Sequence, residues 1–144
     1  MQPVFILSDI ALDAPASDVW DIVGDFCSDI LGEGFVLKIE GEGNFQGALR
    51  TLHLHPDYGG GTVVERQVVR DDRGYYYSYE LADPGPMPFK DYYGSAHVVP
   101  NSEATCRVIW TNRYRAPSEL REPMMQQSKL LLVKIEESLR KALA

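Results

Sequence analysis

The sequence predicts an α+β fold: a curved antiparallel sheet of seven strands around one long C-terminal helix, with two short helices after the first strand. Three observations predict it. Apolar residues alternate with a period of two from about residue 35 to residue 115, interrupted by clusters of turn residues. A period near 3.6 takes over from about residue 122 to the end. The 144 residues are 44% hydrophobic and 24% charged, the ordinary make-up of one domain running end to end.

Residues 4–12 read as the first strand. Ala14-Pro15-Ala16-Ser17-Asp18-Val19-Trp20 then starts a helix. Pro15 suits its first position, where the missing N–H is not needed, and Asp18 lies near the positive end of the dipole. Val19, Trp20, Val23 and Phe26 give it one apolar face. Gly24, Gly32 and Gly34 keep the second helix short. Strands are expected near 35–41, 47–55, 61–71, 74–82, 90–99 and 104–115, antiparallel because the connections are short. Pro84, Pro86 and Pro88 place one loop firmly, since proline cannot donate within a central strand. Gly59-Gly60-Gly61 marks a second, mobile loop, and the two are expected to flank one mouth. Pro123 fits the first turn of the last helix. Met124, Met125, Leu131, Leu132, Ile135, Leu139 and Leu143 recur along it. At 1.5 Å per residue it spans about 33 Å, enough to cross a small sheet. A sheet curled around such a helix encloses a cavity.

Lys and Arg number 14 against 21 Asp and Glu, a net charge of −7 and a pI near 4.9. That balance argues against nucleic-acid binding and against docking on anionic membranes by charge. No apolar run approaches the roughly 18 residues of a membrane span, so no stable membrane insertion is expected. The N-terminus has no basic segment and meets Asp9 early, so a cytoplasmic location is expected. Cys27 and Cys106 read as buried or half-buried thiols. His53, His55 and His97 form no ligand spacing with Cys or carboxylates, so no metal site is expected. Cys27 and Ser28 are expected near the pocket mouth, with no oriented histidine to make either a nucleophile.

Three stretches carry a family resemblance. Residues 14–26, from Ala14-Pro15 through Val19-Trp20 to Asp25-Phe26, resemble its opening helix. Gly47-Ala48-Leu49-Arg50-Thr51-Leu52 resembles its "GxVRxL" strand. Glu65-Arg66, Asp71-Asp72 and Tyr77-Ser78-Tyr79 resemble its "ER…DD…YSY" hairpin. With Trp110 and the last helix, the chain resembles the START/Bet v 1-like (SRPBCC) helix-grip superfamily. Within it the look is nearest to bacterial polyketide cyclases/dehydrases; lipid-transfer domains and abscisic acid receptors belong to the same group. The usual tryptophan after the second helix is absent here, and Phe35 is expected to pack in its place. The fold hosts several activities, so function rests on the pocket.

In the resembling families the arginine face of the "VR" strand points inward. Strand alternation then puts Arg50, Leu52 and Leu54 inside, with Val63, Glu65 and Gln67 on the next strand. Tyr75, Tyr77 and Tyr79 follow, then Tyr92, Gly94, Ala96 and Val98, then Val108, Trp110, Asn112 and Tyr114. Met124, Gln127, Ser128 and Leu131 form the helix stripe that closes the cavity, and Phe26 and Phe35 complete the expected ligand-binding set. Such an aromatic wall with few polar groups suits a small hydrophobic or aromatic oxygenated molecule.

Two readings of the polar residues are open. The tyrosines are either core filler or hydrogen-bonding partners of a ligand. Arg50 and Glu65 are either a salt bridge between adjacent strands or a working pair. In the working pair Arg50 holds a ligand carboxylate, enolate or phenolate, and Glu65 moves a proton. The resemblance implies a cofactor-independent cyclase or dehydratase, a lyase or isomerase acting on a polyketide-like intermediate, with Arg50, Glu65, Tyr79 and Tyr92 as its catalytic groups. A non-catalytic carrier or sensor of a lipid, hormone-like or aromatic ligand is the alternative, and a homodimer stays open as the assembly.

Overall fold

The computed structural model describes residues 1–32 and 34–144. The chain runs β1 (Gln2–Leu12), α1 (Ala16–Val23), a 3-10 turn (Asp29–Gly32), β2 (Val36–Gly41) and β3 (Leu49–Leu54). It continues through β4 (Thr62–Asp71), β5 (Tyr76–Asp83), β6 (Lys90–Pro100) and β7 (Cys106–Ala116) to α2 (Arg121–Leu143). The seven strands form one antiparallel sheet in the order β1-β7-β6-β5-β4-β3-β2. The first strand therefore closes the sheet beside the last, and β1 and β2 are its edges. Register shifts between β2 and β3, β4 and β5, and β6 and β7 insert unpaired residues. Such bulges bend a strand and deepen its twist, which curls the sheet.

Two short elements differ from the expectation. Pro15 caps α1 from outside rather than starting it: its backbone is extended (φ −59°, ψ 142°), and its carbonyl accepts from Asp18 N and Val19 N. The second helix is a single 3-10 turn, as the surrounding glycines dictate.

The space under α2 is not uniform. Val19, Trp20 and Val23 of α1 pack with Val98 of β6, Val108 of β7, and Ile135 and Leu139 of α2 into a solid core. The same helix, one to three turns earlier, faces an open cavity against β3, β4, β5 and β7. Among the described residues no helix is long and apolar enough to cross a membrane.

Candidate functional site

The cavity has a volume of about 160 Å³. Alternation on β3 brings Arg50, Leu52 and Leu54 into its wall, and Val63 and Glu65 come from β4. Tyr77 and Tyr79 reach in from β5, Tyr92 from β6, and Trp110 and Asn112 from β7. Met124, Gln127, Ser128 and Leu131 of α2 close it, and Phe35 sits beside β2.

Of the residues expected inside, Gln67, Gly94, Ala96, Val98 and Val108 do not line the cavity, and three of the expected ligand-binding residues also lie elsewhere. Phe26 is buried behind the wall, with its ring 3.9 Å under the Arg50 guanidinium. Tyr75 falls outside β5 in a left-handed conformation (φ 55°), which breaks the two-residue alternation and turns its ring onto Trp20, 5.7 Å away. Tyr114 points inward, but Phe89 and Tyr92 cover its ring at 4.4 and 5.8 Å, and its hydroxyl bonds Ser128 Oγ at 2.9 Å. Neither Cys27 nor Ser28 lines the cavity, and burial, then Asp25, pushes the Cys27 thiol up, away from a reactive thiolate.

The wall also holds residues that the alternation did not single out. Leu81 lies two beyond Tyr79 and Ile135 four beyond Leu131, so the same periods reach both. Val36 and Ile39 share the wall only because a bulge intervenes between Val36 and Lys38. Tyr58 comes from a short 3-10 turn (Pro56–Tyr58) and Met87 and Phe89 from a loop, none of which carries a strand period.

Two polar groupings sit in this apolar wall. In the first, Glu65 Oε1 accepts from Arg50 Nε at 2.8 Å and from Nη2 at 2.7 Å. Arg50 Nη1 donates to the Phe26 carbonyl at 2.7 Å, and Tyr79 covers the guanidinium at 5.0 Å. Burial alone would lower the Arg50 pKa; Glu65, Tyr77 and Tyr79 outweigh it and hold the guanidinium charged. Glu65 is only 4% exposed. No fully buried side-chain oxygen or nitrogen among the described residues lacks a partner, so the unbonded Oε2 of Glu65 opens onto the cavity that the residue lines.

In the second grouping, the Tyr79 hydroxyl donates to Asn112 Oδ1 at 3.2 Å and the Tyr92 hydroxyl donates to the same oxygen at 2.9 Å. Asn112 is 5% exposed, and its Nδ2 meets no protein acceptor, so by the same reasoning the amide N–H groups open onto the cavity. Burial first, then Glu65 for Tyr79 and the neighbouring Tyr79 for Tyr92, pushes both phenol pKa values above their usual range. These tyrosines keep their protons and serve as donors, not bases. Glu65 Oε2 and Asn112 Nδ2 thus keep hydrogen-bonding capacity toward the cavity, which Trp110 and Gln127 also line, and they flank Tyr79, one through the Arg50 guanidinium over its ring and one at its hydroxyl.

An outer hollow of about 550 Å³ shares Tyr58, Met87, Met124 and Gln127 with the inner cavity. These four form the mouth. Tyr58 is held against Phe35 with ring centres 4.2 Å apart. Gly59 and Gly61 take left-handed conformations (φ 100° and 72°), a side-chain carbon added at either would meet Pro86 at 3.8 Å, and Gly59 and Pro86 both line the outer hollow, so the two expected loops lie side by side at the mouth. The histidines stay outside: His53 pairs with Glu40 at 2.6 Å, and His97 packs edge-on against Tyr76 at 5.6 Å.

Residues 7–141 match a family model described as polyketide cyclase/dehydrase and lipid transport. No curated protein sequence matches the chain. Among solved structures, the chain is similar to the Zhui aromatase/cyclase from Streptomyces sp. R1128, with a TM-score of 0.83 at 16% identity, covering 98% of this chain and 94% of that one. It is similar to norcoclaurine synthase from Thalictrum flavum in complex with dopamine and hydroxybenzaldehyde, with a TM-score of 0.76 at 18% identity, covering 98% and 86%. A protein of Thermobifida fusca matches at 28% identity with a TM-score of 0.69, covering 83% and 79%. The first two likenesses establish the α+β helix-grip architecture.

Proposed function

We propose a function from one premise: the chain belongs to the polyketide cyclase/dehydrase and lipid-transport family. It binds a small oxygenated molecule in the inner cavity and closes or dehydrates it by positioning and proton transfer. One observation carries this reading. A buried carboxylate, Glu65, has one oxygen fixed by Arg50 and the other open to an apolar cavity.

The chemistry follows from the wall. An Asn112 N–H donates to a substrate carbonyl, which favours negative charge on that oxygen. Glu65 Oε2 removes a proton from the adjacent carbon, and the enolate carbon attacks a second carbonyl of the same chain. Glu65 returns the proton to the new alkoxide. Loss of a second proton from the same carbon and of the hydroxyl releases water and leaves a double bond. Arg50 stays on Glu65 and Phe26, so it positions the carboxylate rather than holding the substrate. Confinement supplies the near-attack geometry, which in favourable systems contributes about 7–11 kcal/mol. A positioned acid/base adds roughly 10²–10⁴-fold.

The open-chain diketone heptane-2,6-dione is a one-ring test, since its closure and dehydration give methylcyclohexenone. Wild type should accelerate this reaction over buffer, and Glu65→Gln should lower the rate at least about 100-fold with little change in KM. Equal rates in the two proteins would remove Glu65 from the chemistry. The carrier reading has its own support: Arg50 and both tyrosine hydroxyls are bonded within the protein. Under it Glu65→Gln changes affinity and no turnover exists.

A further inference from the structure

We infer that the inner cavity selects a neutral, single-ring compound that donates a hydrogen bond at one end and accepts one at the other, such as a phenol or enol with a carbonyl across the ring. This rests on the reading above that the cavity is the ligand site. Glu65 Oε2 accepts from the ligand hydroxyl, and Asn112 Nδ2 donates to its carbonyl.

Size comes first. A cavity of about 160 Å³ is close to the roughly 150 Å³ apolar space that takes one benzene. It falls short of the about 300 Å³ at which pockets for drug-sized molecules begin. Spacing comes next. Tyr79 lies between the two free groups: the Arg50 guanidinium, bound to Glu65, sits 5.0 Å from its ring centre, and its hydroxyl reaches Asn112 at 3.2 Å. Glu65 and Asn112 thus lie at two different places along Tyr79, one by its ring face and one at its hydroxyl, and a ligand ring lying along Tyr79 would meet both.

Polarity and charge complete the selection. At these two positions the wall offers a carboxylate acceptor and an amide donor, so the two ends of a ligand that bridges them differ. An anionic ligand is disfavoured. Arg50 already gives Nε and Nη2 to Glu65 and Nη1 to Phe26, and the group left facing the cavity carries negative charge. This departs from the expectation that Arg50 anchors a carboxylate, enolate or phenolate.

The test varies the ligand on unaltered protein, by calorimetry or ligand-observed NMR. 4-Hydroxyacetophenone should bind. Its methyl ether, which lacks the donor, should bind at least tenfold more weakly, and benzoate should bind at least tenfold more weakly as well. Asn112→Asp keeps an acceptor for the two tyrosine hydroxyls and replaces the free donor with an acceptor. It should weaken 4-hydroxyacetophenone at least tenfold while binding hydroquinone, a donor at both ends, more tightly than wild type does. Equal binding of the methyl ether, or benzoate binding as tightly as the phenol, would overturn the selection while leaving the cavity as a ligand site. Failure of every ring compound to bind would overturn both.

Discussion

The two halves of α2 cover opposite kinds of interior. Toward its C-terminal end Leu139 is fully buried in the cluster that holds Val19, Trp20 and Val23 of α1, and Ile135, one turn earlier, joins that cluster at the edge of the cavity. Toward its N-terminal end Met124, Gln127, Ser128 and Leu131 face the cavity. Both halves show the same helical spacing. The difference lies in what faces them: branched aliphatics and α1 fill one end, while long aromatic side chains prop the other open by bonding one another at their tips. Tyr79 and Tyr92 meet at Asn112, and Arg50 and Glu65 lock β3 to β4. Rigid polar contacts keep a space that an aliphatic wall would collapse into. The lesson is that this chain invests polar bonds where it needs a void and apolar contacts where it needs stability.

Four outcomes sharpen or break that contrast. Glu65→Leu leaves Arg50 buried and unpaired and should cost about 3–5 kcal/mol, read from urea unfolding. Leu139→Ala at the solid end should cost about 2–5 kcal/mol by cavity creation. Leu131→Phe at the hollow end should change stability by less than about 1 kcal/mol, since its added carbons enter empty space rather than packed side chains, yet it should abolish ligand binding. If Leu139→Ala and Leu131→Phe destabilise equally, the two ends do not differ as described. The smallest effect is alkaline. Tyr79 and Tyr92 have raised pKa values when folded. They bind their protons more tightly folded than unfolded, so their contribution to stability is full below the ordinary tyrosine value near 10 and is lost as pH rises through the folded values. Their phenolate absorbance should appear only together with unfolding; its appearance at pH 10 in folded protein would contradict their buried, bonded state.

Much of this was legible in the residues. Alternation put Arg50, Leu52, Leu54, Glu65, Tyr79 and Asn112 on one face, and the structure puts them in one wall. The 3.6 period found the Met124–Leu131 stripe. The Arg50–Glu65 bridge was legible as one of two readings, because the two sit opposite each other on adjacent strands. The other bonds were not, because alternation names a face and not a partner: that Arg50 also donates to the Phe26 carbonyl, and that Tyr79 and Tyr92 converge on Asn112 Oδ1, depends on side-chain rotamers. Tyr75 escaped its expected face through one left-handed residue after the Arg73-Gly74 turn. Tyr58 and Met87 reached the mouth from a 3-10 turn and a loop whose courses no strand period encodes.

We propose the hollow half of the molecule as a site for a small oxygenated ring compound, and native mass spectrometry of the protein purified from its own host, wild type beside Leu131→Phe, puts this to the test. A co-purified oxygenated compound of single-ring mass is expected on the wild type and none on the variant. A fatty-acid-like adduct held equally by both proteins would contradict it.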